Sequence, residues 1–227
     1  RSYSVTGVQT CALPISGKYP PRVDDPPAPS RQPEFFLEDF ERVSPGRTPM
    51  RALLAVPEGT GLAVTNEQRF SGAQSLKVTD GPVGPGFAPH WYYEPAVYSG
   101  KVRLAFDLLL PAEGACALNI EARDWSQTAY RTGVRIDIEA DGALKASGQT
   151  LGQLPLGEWV HLAVGFAVGP DKGASFEVTA RLADGQDLHG SFPYGDPAFE
   201  RLTWLGFTAP GKVAGSCYLD NLELAEE

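Results

Sequence analysis

Lys101 to Leu110 read KVRLAFDLLL, and Arg131 to Ile138 read RTGVRIDI. In the first stretch Val102, Leu104, Phe106, Leu108 and Leu110 share one face of an extended chain. In the second, Val134, Ile136 and Ile138 oppose Arg135, Asp137 and, just beyond, Glu139. A period of two is what a strand with one buried and one wet face requires. Between them, ACALNIEARDW (115–125) sets Leu118, Ile120 and Ala122 against Asn119, Glu121 and Arg123. Working outward, strands are expected at 35–43, 61–66, 73–80, 143–148, 158–168, 174–183, 202–209 and 216–224. Asp80-Gly81, Asp141-Gly142 and Asp184-Gly185 are read as hairpin-type turns. No stretch keeps a helical period over three turns; Asp196-Pro197 is the one helix-start signal, opening a short turn through Phe199 and Arg201. The expected fold is all-β, a two-sheet antiparallel β-sandwich or jelly roll, with a closed barrel as the alternative.

The N-terminal part reads differently. Val5 to Ile15, VTGVQTCALPI, matches an in-frame translation of a widely used sequencing adapter, so residues 1–16 are taken as an adapter-derived artefact. Gly7, Gln9, Thr10 and Pro14 break the apolar run that a secretory signal needs. Residues 17–33 are proline-rich, and proline removes backbone donors and favours stiff extended chain. They read as a linker to an upstream domain of the same chain, leaving 34–227 as the β-sandwich domain.

Setting Arg1 aside with the first segment leaves 18 Lys and Arg against 28 Asp and Glu, a net charge of −10. Such a chain repels polyphosphate, and no basic cluster is interleaved with aromatics, so nucleic acid is excluded as a partner. No window approaches the ~20 apolar residues of a membrane helix, which excludes a membrane partner as well. Cys116 and Cys217 are too few for a disulfide framework and have no metal-ligand spacing; they are read as two buried thiols, with a single disulfide as the other reading.

FFLEDFE (35–41), SGAQSLKVTD (71–80) and CYLDNLEL (217–224) together resemble the first, an early and the closing strand of concanavalin A-like and laminin G-like jelly-roll domains, a group that includes many carbohydrate-binding modules. The resemblance implies a structural calcium where first and last strands meet. Its oxygen ligands would come from Asp39, Glu41 and Asp220. No other cofactor is implied.

Catalytic sets are incomplete. RIDIE (135–139) invites comparison with sandwich glucanases that carry E-x-D-x-E on one strand, but Arg135 stands where the nucleophilic carboxylate belongs. A polysaccharide lyase needs a base beside a group that neutralises a uronate; Arg123, Tyr130, Arg135, His90 and Asn119 have the right types but no ordered motif.

Sugar recognition needs flat aromatic faces flanked by planar hydrogen-bonding groups. PHWYYEP (89–95) supplies His90, Trp91 and Tyr93, and EARDWSQTAYR (121–131) supplies Arg123, Asp124, Trp125 and Tyr130. Alternation lets Trp91 and Tyr93 share a face that Tyr92 cannot, so only one of these sets lines a groove, and Trp91 with Tyr93 is the expected one. Trp159 and Trp204 are expected in the core. The function expected is a non-catalytic polysaccharide-binding module of a larger secreted, periplasmic or cell-surface protein. The alternative is a structural or interaction domain that packs on a parent enzyme without binding glycan, with lyase or glycoside hydrolase activity behind both.

Overall fold

A computed structural model describes residues 34–82, 86–211 and 213–227. The adapter-like segment 1–16 and the linker 17–33 lie outside the described residues. Fifteen strands follow in chain order: β1 Phe36–Glu38, β2 Leu53–Ala55, β3 Gly61–Thr65, β4 Ser75–Asp80, β5 His90–Tyr93, β6 Gly100–Leu109, β7 Leu118–Asp124, β8 Arg131–Ile138, β9 Ala143–Ala146, β10 Gln149–Gln153, β11 Trp159–Val168, β12 Ser175–Arg181, β13 Asp187–Pro193, β14 Trp204–Thr208 and β15 Gly215–Glu226. Among the described residues the one helical element is a 3-10 turn, Gly169–Asp171. No helix among them is long and apolar enough to cross a membrane.

The strands form two antiparallel sheets, one of eight strands in the order β13-β12-β11-β6-β15-β4-β3 with β1 also on β15, the other of seven in the order β10-β9-β8-β7-β14-β5-β2. Their inward faces make one core. Val102, Leu104, Phe106 and Leu108 of β6, with Val160, Leu162, Val164 and Phe166 of β11, meet Leu118 and Ile120 of β7, Val134 and Ile136 of β8, and Phe207 of β14, all buried. Each such side chain contributes about 1.5–3 kcal/mol relative to exposure. Aromatic contacts join the sheets: Phe106 meets Phe207 edge-on at 6.0 Å, and Phe36 stacks on Tyr93 at 4.3 Å.

Two of the expected turns are hairpins: Gly142 (φ +90°) joins β8 to β9 and Gly185 (φ +85°) joins β12 to β13. Asp80-Gly81 is not. It ends β4, whose partners are β3 and β15, and the chain then crosses to the other sheet. Gly81 is needed there for close approach, since a Cβ would run into the Gly59 carbonyl oxygen. Asp196 caps a single turn rather than a helix: Oδ1 accepts from Ala198 N at 2.8 Å and its carbonyl from Phe199 N at 3.1 Å. Strands β2, β10 and β13 lie outside the sequence expectation. Each pairs with only one neighbour, at a sheet edge.

Glu38 of β1 is buried with Oε1 unpaired. Burial raises its carboxyl above the ordinary value, although the charge of Arg51 pulls it down. The unfolded chain therefore ionises first as pH rises. The contribution is fully present below the ordinary carboxylate range and is lost as pH climbs through the raised folded value. Glu38→Gln removes that loss, so urea midpoints of wild type and variant should lie closest near about pH 3–4 and separate in the variant's favour at neutral pH. An unchanging gap across this range would refute the assignment.

Candidate functional site

An antiparallel sheet with one face in the core presents the alternate side chains on its other face. On the seven-stranded sheet, register lines these up in rows. His90, Thr208, Asn119, Asp137 and Lys145 form one across β5, β14, β7, β8 and β9. Tyr92, Gly206, Glu121 and Arg135 form the next, and Trp204 lies opposite Arg123 and, beyond it, Thr132.

These rows place planar groups in a continuous file. Phe87 and His90 lie 6.0 Å apart, His90 and Tyr92 5.9 Å, and Tyr92 and Trp204 5.5 Å, the last two pairs stacked. The Arg123 guanidinium lies 4.3 Å from the Trp204 ring centre and 4.5 Å from that of Tyr130. Tyr130 stacks on Trp125 at 4.7 Å. The file borders a cavity of about 500 Å³ that Glu94, Thr203 and Thr208 also line. Phe87, Trp125 and Tyr130 are exposed by 61%, 48% and 46%, far more than a packed core allows.

The charges in this face are balanced. Glu121, only 7% exposed, accepts from Arg123 at 2.5 Å and stands 3.7 Å from Arg135. Arg135 is bonded to Asp137, which holds it still more firmly protonated, and Asp137 also accepts from Asn119 at 2.8 Å. Beyond the end of β8, Glu139 pairs with Lys145 at 2.8 Å, which raises the ammonium above its ordinary value. Both carboxylates of the RIDIE segment are thus ion-paired. His90 differs: its Nδ1 lies 3.0 Å from the Phe87 carbonyl, which can only accept, so Nδ1 carries the proton and Nε2 is the acceptor of the neutral ring.

The structure divides the expected site residues. His90, Arg123, Trp125 and Tyr130 come together on this face. Trp91 and Tyr93 do not; they are 0% and 5% exposed and point into the core, where Trp91 stacks on Phe207 at 4.9 Å. The phase of β5 is the opposite of the one expected, and Tyr92 lines the cavity. Asp124 is buried and accepts from Ser126 N at 2.8 Å, anchoring the turn after β7 instead of facing a ligand. Trp159 and Trp204 are not core residues: both are half-buried on outer faces, in phase with His161 and with Thr208. His161, two residues after Trp159, and Thr208, four after Trp204, are the polar in-phase signals in the sequence.

Asp39, Glu41 and Asp220, the expected calcium ligands, all accept hydrogen bonds from backbone N–H groups. Among the described residues no group of three or more His, Cys, Asp or Glu is placed to hold a metal ion. Asp39 accepts from Glu41 at 3.2 Å, Glu41 from Ala73 and Gln74 at 2.9 and 3.0 Å, and Asp220 from Phe70 and Ser71, both at 3.0 Å. Burial raises the Asp220 carboxyl, with these N–H bonds opposing the shift.

The chain matches no protein-family model, and comparison with curated proteins gives no match. Solved structures share its fold. A protein named cellulose induced protein, Cip1, superimposes with a TM-score of 0.58 at 17% identity, over 85% of this chain and 97% of that one. The alginate lyase Aly36B, solved with alginate trisaccharide, gives 0.55 at 12% identity over 86% and 99%. An endo-β-1,4-glucuronan lyase from the fungus Trichoderma reesei gives 0.50 at 12% identity over 77% and 90%. The likeness shows a two-sheet antiparallel sandwich of the jelly-roll type.

Gly206 sets the lie of the file. A Cβ there would run into the Trp204 ring, so the indole occupies the space a side chain would take. Gly206→Ala should push the indole out, shifting its fluorescence to the red and weakening its near-ultraviolet circular dichroism. Unaltered spectra from a folded variant would show that the ring does not rest on the glycine.

Proposed function

We propose that this domain binds polysaccharide along the outer face of the seven-stranded sheet. The observation that carries this reading is the file Phe87, His90, Tyr92, Trp204, Arg123, Tyr130 and Trp125, which borders one cavity. Aromatic surfaces take the C–H faces of a sugar ring, and the imidazole, phenol and guanidinium edges between them meet its hydroxyls. Polysaccharide-active proteins of the same fold, among them two lyases named for glucuronan and alginate, agree with such a ligand. Because Glu121 and Asp137 already balance Arg123 and Arg135, and the domain is strongly acidic, the groove suits neutral glycans better than polyuronates. The role fits an accessory module of a secreted, periplasmic or cell-surface protein, acting beside an upstream domain.

One observation favours a second reading, β-elimination. With its proton held on Nδ1, His90 presents Nε2 as an acceptor, its ring stacked on Tyr92 at 5.9 Å and lining the same cavity as Arg123. In such a step the base takes the proton next to the uronate carboxylate, the bond to the leaving oxygen breaks, a carbon–carbon double bond forms, and an acid protonates the departing oxygen. The product absorbs in the ultraviolet.

Affinity electrophoresis of the whole chain against neutral and acidic polysaccharides tests both readings. Retardation should appear with a neutral glycan, fall about 10–100-fold in affinity for Trp204→Ala and Trp125→Ala, and persist in the core variant Trp91→Phe. Folded protein retarded by no polysaccharide would turn the assignment to a structural or interaction domain. Growing ultraviolet absorbance with a polyuronate, lost in His90→Ala, would establish the lyase instead.

A further inference from the structure

The outer face of the other, eight-stranded sheet carries a second cavity, of about 600 Å³. Register places His161 of β11 between Asp107 of β6 and Arg181 of β12, and Trp159 lies two residues before His161 on the same face. Phe70 comes from the segment before β4, held by the Asp220 carboxylate that accepts from Phe70 and Ser71 N. Its ring meets Trp159 edge-on at 6.0 Å and is 52% exposed. Leu182 and Arg181 close the other side.

The polar part of this cavity is oriented from beneath. His161 Nδ1 lies 2.9 Å from Asp107, a carboxylate with 2% exposure whose second oxygen accepts from Asn221 Nδ2 at 2.8 Å. The arrangement fixes the imidazole and gives Nδ1 the proton; Arg103 approaches Nε2 at 3.4 Å. None of this closes the core, which Val160, Leu162 and Val164 of the same strand fill from the opposite face. An aromatic pair, Phe70 exposed and Trp159 half-buried, rimmed by an oriented histidine and an arginine is the chemistry of a ligand site. It repeats the composition of the first groove: ring surface beside planar hydrogen-bonding edges. The charged rim of Arg181, Asp187 and Glu158 disfavours an apolar protein partner.

We propose that this cavity is a second carbohydrate subsite, taking a short stretch of the same class of polysaccharide as the first groove, and that the domain is therefore bivalent. The inference rests on the polysaccharide-binding reading above. Because the outer faces of a sandwich point away from each other, one short oligosaccharide cannot reach both sites, and two occupied sites join separate polysaccharide chains.

The test is a calorimetric titration of the whole chain with short oligosaccharides cut from the polysaccharide that retards it, paired with light scattering of the intact polysaccharide. Two sites per chain and rising scattering are expected. Phe70→Ala, at an exposed position that leaves the fold intact, and Trp159→Ala should each reduce the count to one and abolish the rise in scattering; Trp204→Ala should do the same through the other face. A single site that Trp204→Ala removes would overturn the second subsite and leave the groove reading standing. A single site that only Trp159→Ala and Phe70→Ala remove would overturn bivalence and the groove reading together. Concentration-dependent self-association abolished by Phe70→Ala, with one sugar site throughout, would assign the cavity to a second copy of the chain and overturn the proposal. Absence of binding to any polysaccharide would remove both readings.

Discussion

Phe207 lies at the centre of the sandwich, stacked on Trp91 of its own sheet and met edge-on by Phe106 of the other. This contact sets the phase of two strands. Once Trp91 and Phe207 point inward, pleating turns His90 and Tyr92 outward on β5 and Trp204, Gly206 and Thr208 outward on β14. The aromatic file is therefore the outer counterpart of the core stack. The same rule acts across the molecule, where Val160 and Leu162 take the core and leave Trp159 and His161 outside.

Buried and half-buried carboxylates organise what the apolar core does not. Glu121 holds Arg123 and faces Arg135, Asp107 holds His161, and Asp220 gathers the backbone of the Phe70 segment. A carboxylate removed from water is costly unless hydrogen-bonded, and each of these has several donors. Their common effect is to fix planar side chains on the outer faces. A guanidinium held on one edge by Glu121 and lying between the rings of Trp204 and Tyr130 is a rigid element of surface rather than a mobile cation. Gly206 completes the arrangement by leaving room for the indole along the strand.

Most strands were legible because their inward residues alternate without interruption, as in β6, β8 and β11. The site was legible in part. Trp125, Tyr130 and Arg123 stand in one local segment, and the hairpin between β7 and β8 keeps them together. The phase of HWYYE runs opposite to the expectation, because the core takes Trp91 and Tyr93 while the polar His90 and Glu94 flank Tyr92 at the outward positions. Trp204 and Trp159 likewise lie outside the core, on faces that Thr208 and His161 share. Asp39, Glu41 and Asp220 accept from loop N–H groups, contacts that a strand pattern does not reveal.

The sequence by itself determined the strands, their inward faces and the acidic, all-β character of the domain, because each follows from residues within a few positions of one another. Tertiary structure alone decided which strands became neighbours. β14 lies between β5 and β7, so Trp204 meets Tyr92 and Arg123 across gaps of more than eighty residues. Likewise β6 between β11 and β15 sets Asp107 beside His161. Pairings of that kind rest on the packing of two whole sheets over one core, and no local pattern encodes them.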